Sequence, residues 1–135
     1  MAPPKETSMA RILIAEDEEA IRTLVARALR QDGHEVMTAS DGAQALDALF
    51  REKGAFELLL TDIRMPVMDG IALAHAAARE HPAVTIVLMT GYADQRERAH
   101  DLDALIHDVI AKPFSLGTMR RAVSAALKAH PRRAN

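Results

Sequence analysis

Cysteine and tryptophan are missing from this 135-residue chain, and Phe, Tyr and Trp together make up only 3% of it. Without cysteine there can be no disulfide, no thiolate metal site and no thiol nucleophile, a composition that suits a reducing cytoplasm. So few rings leave no platform on which nucleobases could stack. A net charge of −2 offers no basic footprint for nucleic acid or an anionic membrane. No apolar run approaches the ~18 residues of a membrane span, and residues 1–8 (MAPPKETS) lack the apolar stretch of a signal peptide. The six histidines are scattered without the spacing of a metal-ligating pair.

What is present suffices for one compact core: 49% of the residues are hydrophobic and 27% charged, over the length of a single domain. Residues 1–9 are expected to form a disordered lead, 10–130 the folded domain and 131–135 a short tail, with no output domain. Short apolar runs (Ile12–Ile14, Val36–Met37, Leu58–Leu60, Val84–Met89 and Val109–Ile110) alternate with longer amphipathic stretches. Runs apolar at consecutive positions are what parallel strands buried on both faces require. Ile21, Leu24, Val25, Ala28 and Leu29 predict the buried stripe of a first helix, which Gly33 stops. Leu46, Leu49 and Phe50 predict a second, ending before Gly54. A third spans Gly70–Glu80 with an Ala-rich face (Ala74, Ala77, Ala78) and Asp69 as its turn or cap residue. A polar fourth is expected over 94–101, and a last one is capped by Ser115 and buries Leu116, Met119, Val123, Ala126 and Leu127. The class is α/β: a five-stranded parallel sheet with helices on both faces.

The reactive side chains fall where strands end. Glu16 and Asp17 follow the first strand, Asp62 the third, Thr90 the fourth and Lys112 the fifth. Parallel strands place all their C-terminal ends on one edge of the sheet, the edge where such folds bind ligands. Three crowded carboxylates repel one another, and a bound cation would relieve that; an all-oxygen ligand set suits Mg²⁺. A carboxylate can attack phosphorus to give an aspartyl phosphate, with a lysine, a hydroxyl and the metal meeting the charge spread over the phosphoryl oxygens.

Glu16-Asp17, then Asp62 in DIRMPVMDG, then Thr90-Gly91, then Lys112-Pro113-Phe114 together resemble the response-regulator receiver domain of two-component systems. The likeness covers about Arg11 to Ala129. It implies the flavodoxin-like strand order 2-1-3-4-5, with Asp62 as phosphoacceptor. It further implies Mg²⁺ held by Glu16, Asp17, Asp62 and the carbonyl of Arg64, Thr90 and Lys112 on the phosphoryl group, and a cis Lys112-Pro113 bond. The partners it implies are a histidine kinase or histidine phosphotransfer protein upstream and a protein target downstream, around a monomer or weak dimer.

Two positions depart from the common pattern. Glu16 stands where an Asp is commoner. Val109 occupies the place of an aromatic switch residue, for which Tyr92 is the candidate substitute. Glu-Asp in place of a double Asp, the MPVMDGI run and the TGYA segment are similar to CpdR-type cell-cycle regulators, which implies a AAA+ protease as downstream partner; the alternative is a phosphorelay shuttle or kinase-side regulator. An aspartyl-phosphate phosphatase is disfavoured, because such enzymes place a second acid two residues after the nucleophile, where this chain has Arg64. No enzymatic turnover is expected beyond self-phosphorylation and slow self-dephosphorylation.

Overall fold

The structure, a computed structural model, describes residues 10–91, 99, 102 and 104–129. The expected lead and tail, Tyr92 and all of the polar helix over 94–101 except Ala99, which is helical and buried, lie outside those residues. Five strands, β1 (Arg11–Ala15), β2 (Glu35–Ala39), β3 (Leu58–Asp62), β4 (Thr85–Thr90) and β5 (Asp108–Ala111), form one parallel sheet in the order β2-β1-β3-β4-β5. The helices among the described residues are α1 (Glu19–Gln31), α2 (Gly42–Arg51), α3 (Gly70–Glu80) and α4 (Leu116–Ala129).

Alternation along the strands divides the core into two layers. Ile12, Ile14, Leu58, Leu60, Val87 and Met89 face α1 and α4. Leu13, Leu59, Ile86 and Leu88 face α2 and α3, whose Ala45, Ala48, Ala74 and Ala77 let the helices lie close to the sheet. The central strand β3 is buried at every position, which explains its unbroken apolar run. Asp69 caps α3, its carboxylate accepting from the Ala72 N–H at 2.8 Å. Ser115 Oγ accepts from the Thr118 N–H at 3.0 Å at the start of α4. Gly33, at φ 96°, follows the C-terminus of α1 in a conformation that favours glycine.

Two expected core residues are not in the core. Leu24 is 49% exposed and Phe50 is 74% exposed. On α1 the sheet-facing set is Val25, Ala26, Ala28 and Leu29, and Leu24 sits one position to the side of it. On α2 it is Ala45, Ala48 and Leu49, which turns Phe50 about 100° away, the angle between successive helical residues. Leu116 is half-buried rather than buried, and β4 begins at Thr85 with Val84 packed just ahead of it.

At the N-terminal rim of the sheet, Arg11 ties several segments together. Its guanidinium pairs with Glu35 at 3.2 Å and Glu52 at 3.0 Å, donates to the Ala55 carbonyl at 2.8 Å and lies 4.7 Å from the centre of the Phe56 ring.

At the opposite rim, the loop after β3 is pinned. The Met68 N–H donates to the Pro66 carbonyl at 2.7 Å, closing a γ-turn around Val67 at φ 70°. Gly42 N–H holds the Met68 carbonyl at 3.1 Å, and Gly70 N–H holds that of Ile63 at 2.7 Å. A β-branched residue at positive φ is strained, and Val67 is 83% exposed, so little packing offsets the cost. Val67→Gly is therefore expected to stabilise the protein by about 1 kcal/mol, the left-handed penalty less part of glycine's entropy cost. Thermal unfolding checks this, and a lowered Tm would show that Val67 is not strained.

Candidate functional site

Three strand ends bring the predicted acids and lysine into contact. The Glu16 N–H continues the β1–β2 ladder to the Ala39 carbonyl at 3.1 Å, and the Lys112 N–H extends β4–β5 pairing to the Thr90 carbonyl at 2.7 Å. This fixes where both side chains start. Lys112 Nζ then lies 2.9 Å from Glu16 Oε1 and 3.2 Å from Asp62 Oδ2. The other oxygens are held by main chain: Asp62 Oδ1 accepts from the Ile63 N–H at 2.9 Å, and Glu16 Oε2 from the Glu18 N–H at 3.0 Å. Carboxylate oxygens of Glu16, Asp17 and Asp62 all lie within 4.8 Å of one another.

Burial shapes the charges. Glu16 is 1% exposed and Asp62 is 5% exposed, whereas Asp17 faces solvent. Desolvation, aided by the Asp62 charge, outweighs the hydrogen bonds from Lys112 and the Glu18 N–H and holds Glu16 up at about 7. Asp62 is raised as well, chiefly by burial, with Lys112 opposing. Burial works against the Lys112 ammonium, but its bond to Glu16 and the two acidic charges outweigh that and hold it above the usual lysine value. The site therefore favours protons or cations, and all the candidate ligand atoms are hard oxygens, the donor set that fits Mg²⁺.

Thr90 closes β4 and is buried, and among the described residues its Oγ1 has no hydrogen-bond partner. In the β3–β4 register Asp62 sits opposite Met89, one residue before Thr90. An orphaned buried hydroxyl is costly unless a ligand or water meets it. Arg64 lines, with Asp17, Asp62 and Lys112, a cleft of about 860 Å³ whose apolar wall includes Ile21, Leu24, Pro113 and Phe114. Part of the exposure of Leu24 is thus exposure to this cleft. The Lys112-Pro113 bond is cis, as the resemblance implied. Val109 is half-buried against the α2–α3 layer.

Two contributors gave no local signal. Gly42 belongs to another helix, yet it pins the loop beyond Asp62, and a Cβ there would sit 2.2 Å from the Met68 carbonyl oxygen. Arg22 donates to the Glu16 carbonyl at 2.9 Å and so holds the acid-bearing loop from the first turn of α1. The first is a main-chain contact across the fold and the second a side-chain contact six residues back, and periodicity reveals neither.

The sequence profile of the response regulator receiver domain matches residues 12–124. The response regulator receiver protein CpdR of Brucella abortus is 40% identical over 108 residues, covering 80% of this chain and 88% of that one. Sporulation initiation phosphotransferase F of Bacillus subtilis is 33% identical over 119 residues, 87% and 93% of the two chains. Further curated relatives are longer, this chain spanning 13% of a sensor kinase and 49% of a probable transcriptional regulatory protein. Among solved structures, response regulator TrrA of Thermotoga maritima in complex with Mg²⁺ and BeF superposes with a TM-score of 0.76 at 30% identity, over 86% of this chain and 97% of that one. Sheet order and profile agree, and the chain belongs to the response regulator receiver family.

Proposed function

We propose that this protein accepts a phosphoryl group on Asp62 from a histidine kinase or histidine phosphotransfer protein and signals by changing its protein contacts. The observation that carries the reading is the single ammonium of Lys112 shared between two buried carboxylates, 2.9 Å from Glu16 and 3.2 Å from Asp62. A buried cation with two acidic partners can follow negative charge as it moves onto Asp62, with no solvent reorganisation.

In the transfer, an Asp62 oxygen attacks phosphorus, the P–N bond to the donor histidine breaks, and the imidazole leaves with the bonding pair and takes up a proton. Asp62 needs no general base, since it reacts as the carboxylate. Lys112 turns from the acid to a phosphoryl oxygen, and the partnerless Thr90 hydroxyl donates to another. Asp17, Asp62 and the Arg64 carbonyl would hold Mg²⁺ directly. Glu16, whose side chain is one methylene longer than that of Asp, would act through water. When bound, the ion supplies Lewis-acid stabilisation of phosphoryl charge; the TrrA complex with Mg²⁺ and BeF supports this assignment. The cleft flanked by Leu24 and Phe114 gives a donor protein an apolar footing beside Asp62.

Phosphorylation adds charge and acceptor oxygens that reset the surrounding loops. Likeness to CpdR supports a AAA+ protease as the downstream partner. Likeness to a protein named as a phosphotransferase supports the second reading, a shuttle that passes the group on to another histidine. Nothing in either reading requires turnover of external phosphate esters. Intact mass spectrometry after incubation with acetyl phosphate and Mg²⁺ is expected to show a species about 80 Da heavier, one PO₃H unit, which Asp62→Asn lacks. An adduct that persists in Asp62→Asn would place the acceptor elsewhere.

A further inference from the structure

On the other flank of α1, away from Asp62, a second cleft of about 440 Å³ lies between the helix and the edge strand β2. Its floor is the small side chain of Ala26, which is 2% exposed, and its walls are Arg22, Arg27 and Arg30. Among the described residues no acidic one lines it; the remaining polar groups are the hydroxyls of Thr23 and Thr38 and the amide of Gln31. In a chain of net charge −2 this is a local concentration of positive charge.

The three guanidiniums differ from four others in the fold. Arg11, Arg51, Arg79 and Arg120 each pair with a carboxylate. Among the described residues Arg22, Arg27 and Arg30 have no such partner. Two of them are nevertheless positioned: Arg22 donates to the Glu16 carbonyl at 2.9 Å, and Arg30 to the Val36 carbonyl at 3.0 Å. Each uses a single N–H on a neutral acceptor, which orders the side chain and leaves its charge and its other donors available. The helix dipole accounts for Arg30, in the last turn of α1. It does not account for Arg22, which lies in the first turn, where positive charge is disfavoured.

We infer that this cleft binds an oligophosphate, the di- or triphosphate chain of a small molecule. Planar guanidinium forks match phosphate oxygens two at a time, and the volume lies in the range of small-molecule sites, roughly 300–1,000 Å³. The spacing sets the length of the anion. Arg22 and Arg30 start about 12 Å apart along the helix, eight residues at 1.5 Å each, too far for one phosphate to bridge and suited to a chain that also meets Arg27. Among the described residues no aromatic ring lines the cleft, so the phosphates, and not a stacked base, are what is recognised.

The test is an amide NMR titration of the full chain with inorganic tripolyphosphate in metal-free buffer, sodium chloride holding the ionic strength constant. Saturable shifts centred on Ala26 and Thr38 are expected, with affinity at least tenfold weaker in Arg27→Gln, whose side chain makes no hydrogen bond or ion pair among the described residues, and also in Arg30→Gln. Asp62→Asn should bind as the wild type does, and acetyl-phosphate labelling of Arg27→Gln should be unchanged. ATP should compete and adenosine should not, which separates the phosphates from the base as the recognised group. Shifts that rise linearly with concentration, or that survive Arg27→Gln, would overturn the inference. So would loss of binding in Asp62→Asn, which would place the anion at the phosphoacceptor and leave the proposed function intact. Saturable binding of hexaglutamate where tripolyphosphate fails would overturn it in favour of a surface for acidic protein segments.

Discussion

Lys112→Met is expected to cost the metal-free protein about 3 kcal/mol at pH 7.5, the low end of what removing one partner of a buried ion pair costs. Methionine retains the apolar stem, so packing is largely kept and the charge is what is lost. Glu16 and Asp62 are then left buried, 1% and 5% exposed, with no cation between them. The penalty depends on pH, and its sign follows from proton counting. Glu16 already titrates at about 7 in the folded protein against 4.5 as a free side chain, and without Lys112 both acids move further up. Between those values the native state binds more protons than the unfolded one, so stability falls as pH rises. The deficit should be small near pH 4.5 and largest above pH 7. Urea unfolding of both proteins at pH 5 and 7.5 measures it, and a deficit equal at the two pH values would mean that Lys112 acts through packing alone.

Gly70→Ala should be as damaging for a different reason. A Cβ at that position would lie 2.0 Å from the Asp62 carbonyl oxygen and 2.8 Å from Ile63 Cα. Both are main-chain atoms, so no side chain can rotate away; either α3 moves outward or the end of β3 does. Overpacking of this kind costs about 3 kcal/mol. Because the Gly70 N–H also holds the Ile63 carbonyl at 2.7 Å, the displacement reaches the residue whose N–H fixes Asp62 Oδ1. Chemical denaturation should show the loss, and acetyl-phosphate labelling should drop with it. Gly117→Ala is the control. Its nearest neighbours are side-chain atoms at 3.5 Å and beyond, and a helical alanine there should stabilise by about 0.5–1 kcal/mol. Equal behaviour of the two variants would mean that the contact at Gly70 relaxes freely.

The sheet and the site edge were legible because each rests on a one-dimensional pattern. Strands buried on both faces read as unbroken apolar runs, and the reactive residues stand immediately after them. Leu24 and Phe50 were misjudged because large apolar side chains draw the eye, whereas the helices bury alanines. Ala26, Ala45 and Ala48 pack against the sheet while Phe50 points outward. The charge state of Glu16 was not legible either, since it depends on desolvation and on a lysine 96 residues away. Gly42 reaches the site through a hydrogen bond to Met68 in a distant segment, and Arg22 through one to a main-chain carbonyl six residues earlier, neither of which leaves a periodic trace in the sequence.

Arg11 has a consequence at the far end of the molecule. Its guanidinium stitches β1 to β2 and to the turn after α2, so the rim opposite Asp62 works like the bound spine of a book. Whatever repositioning follows a change at Asp62 is then confined to the open edge of the pages, the rim that carries the acids and Lys112.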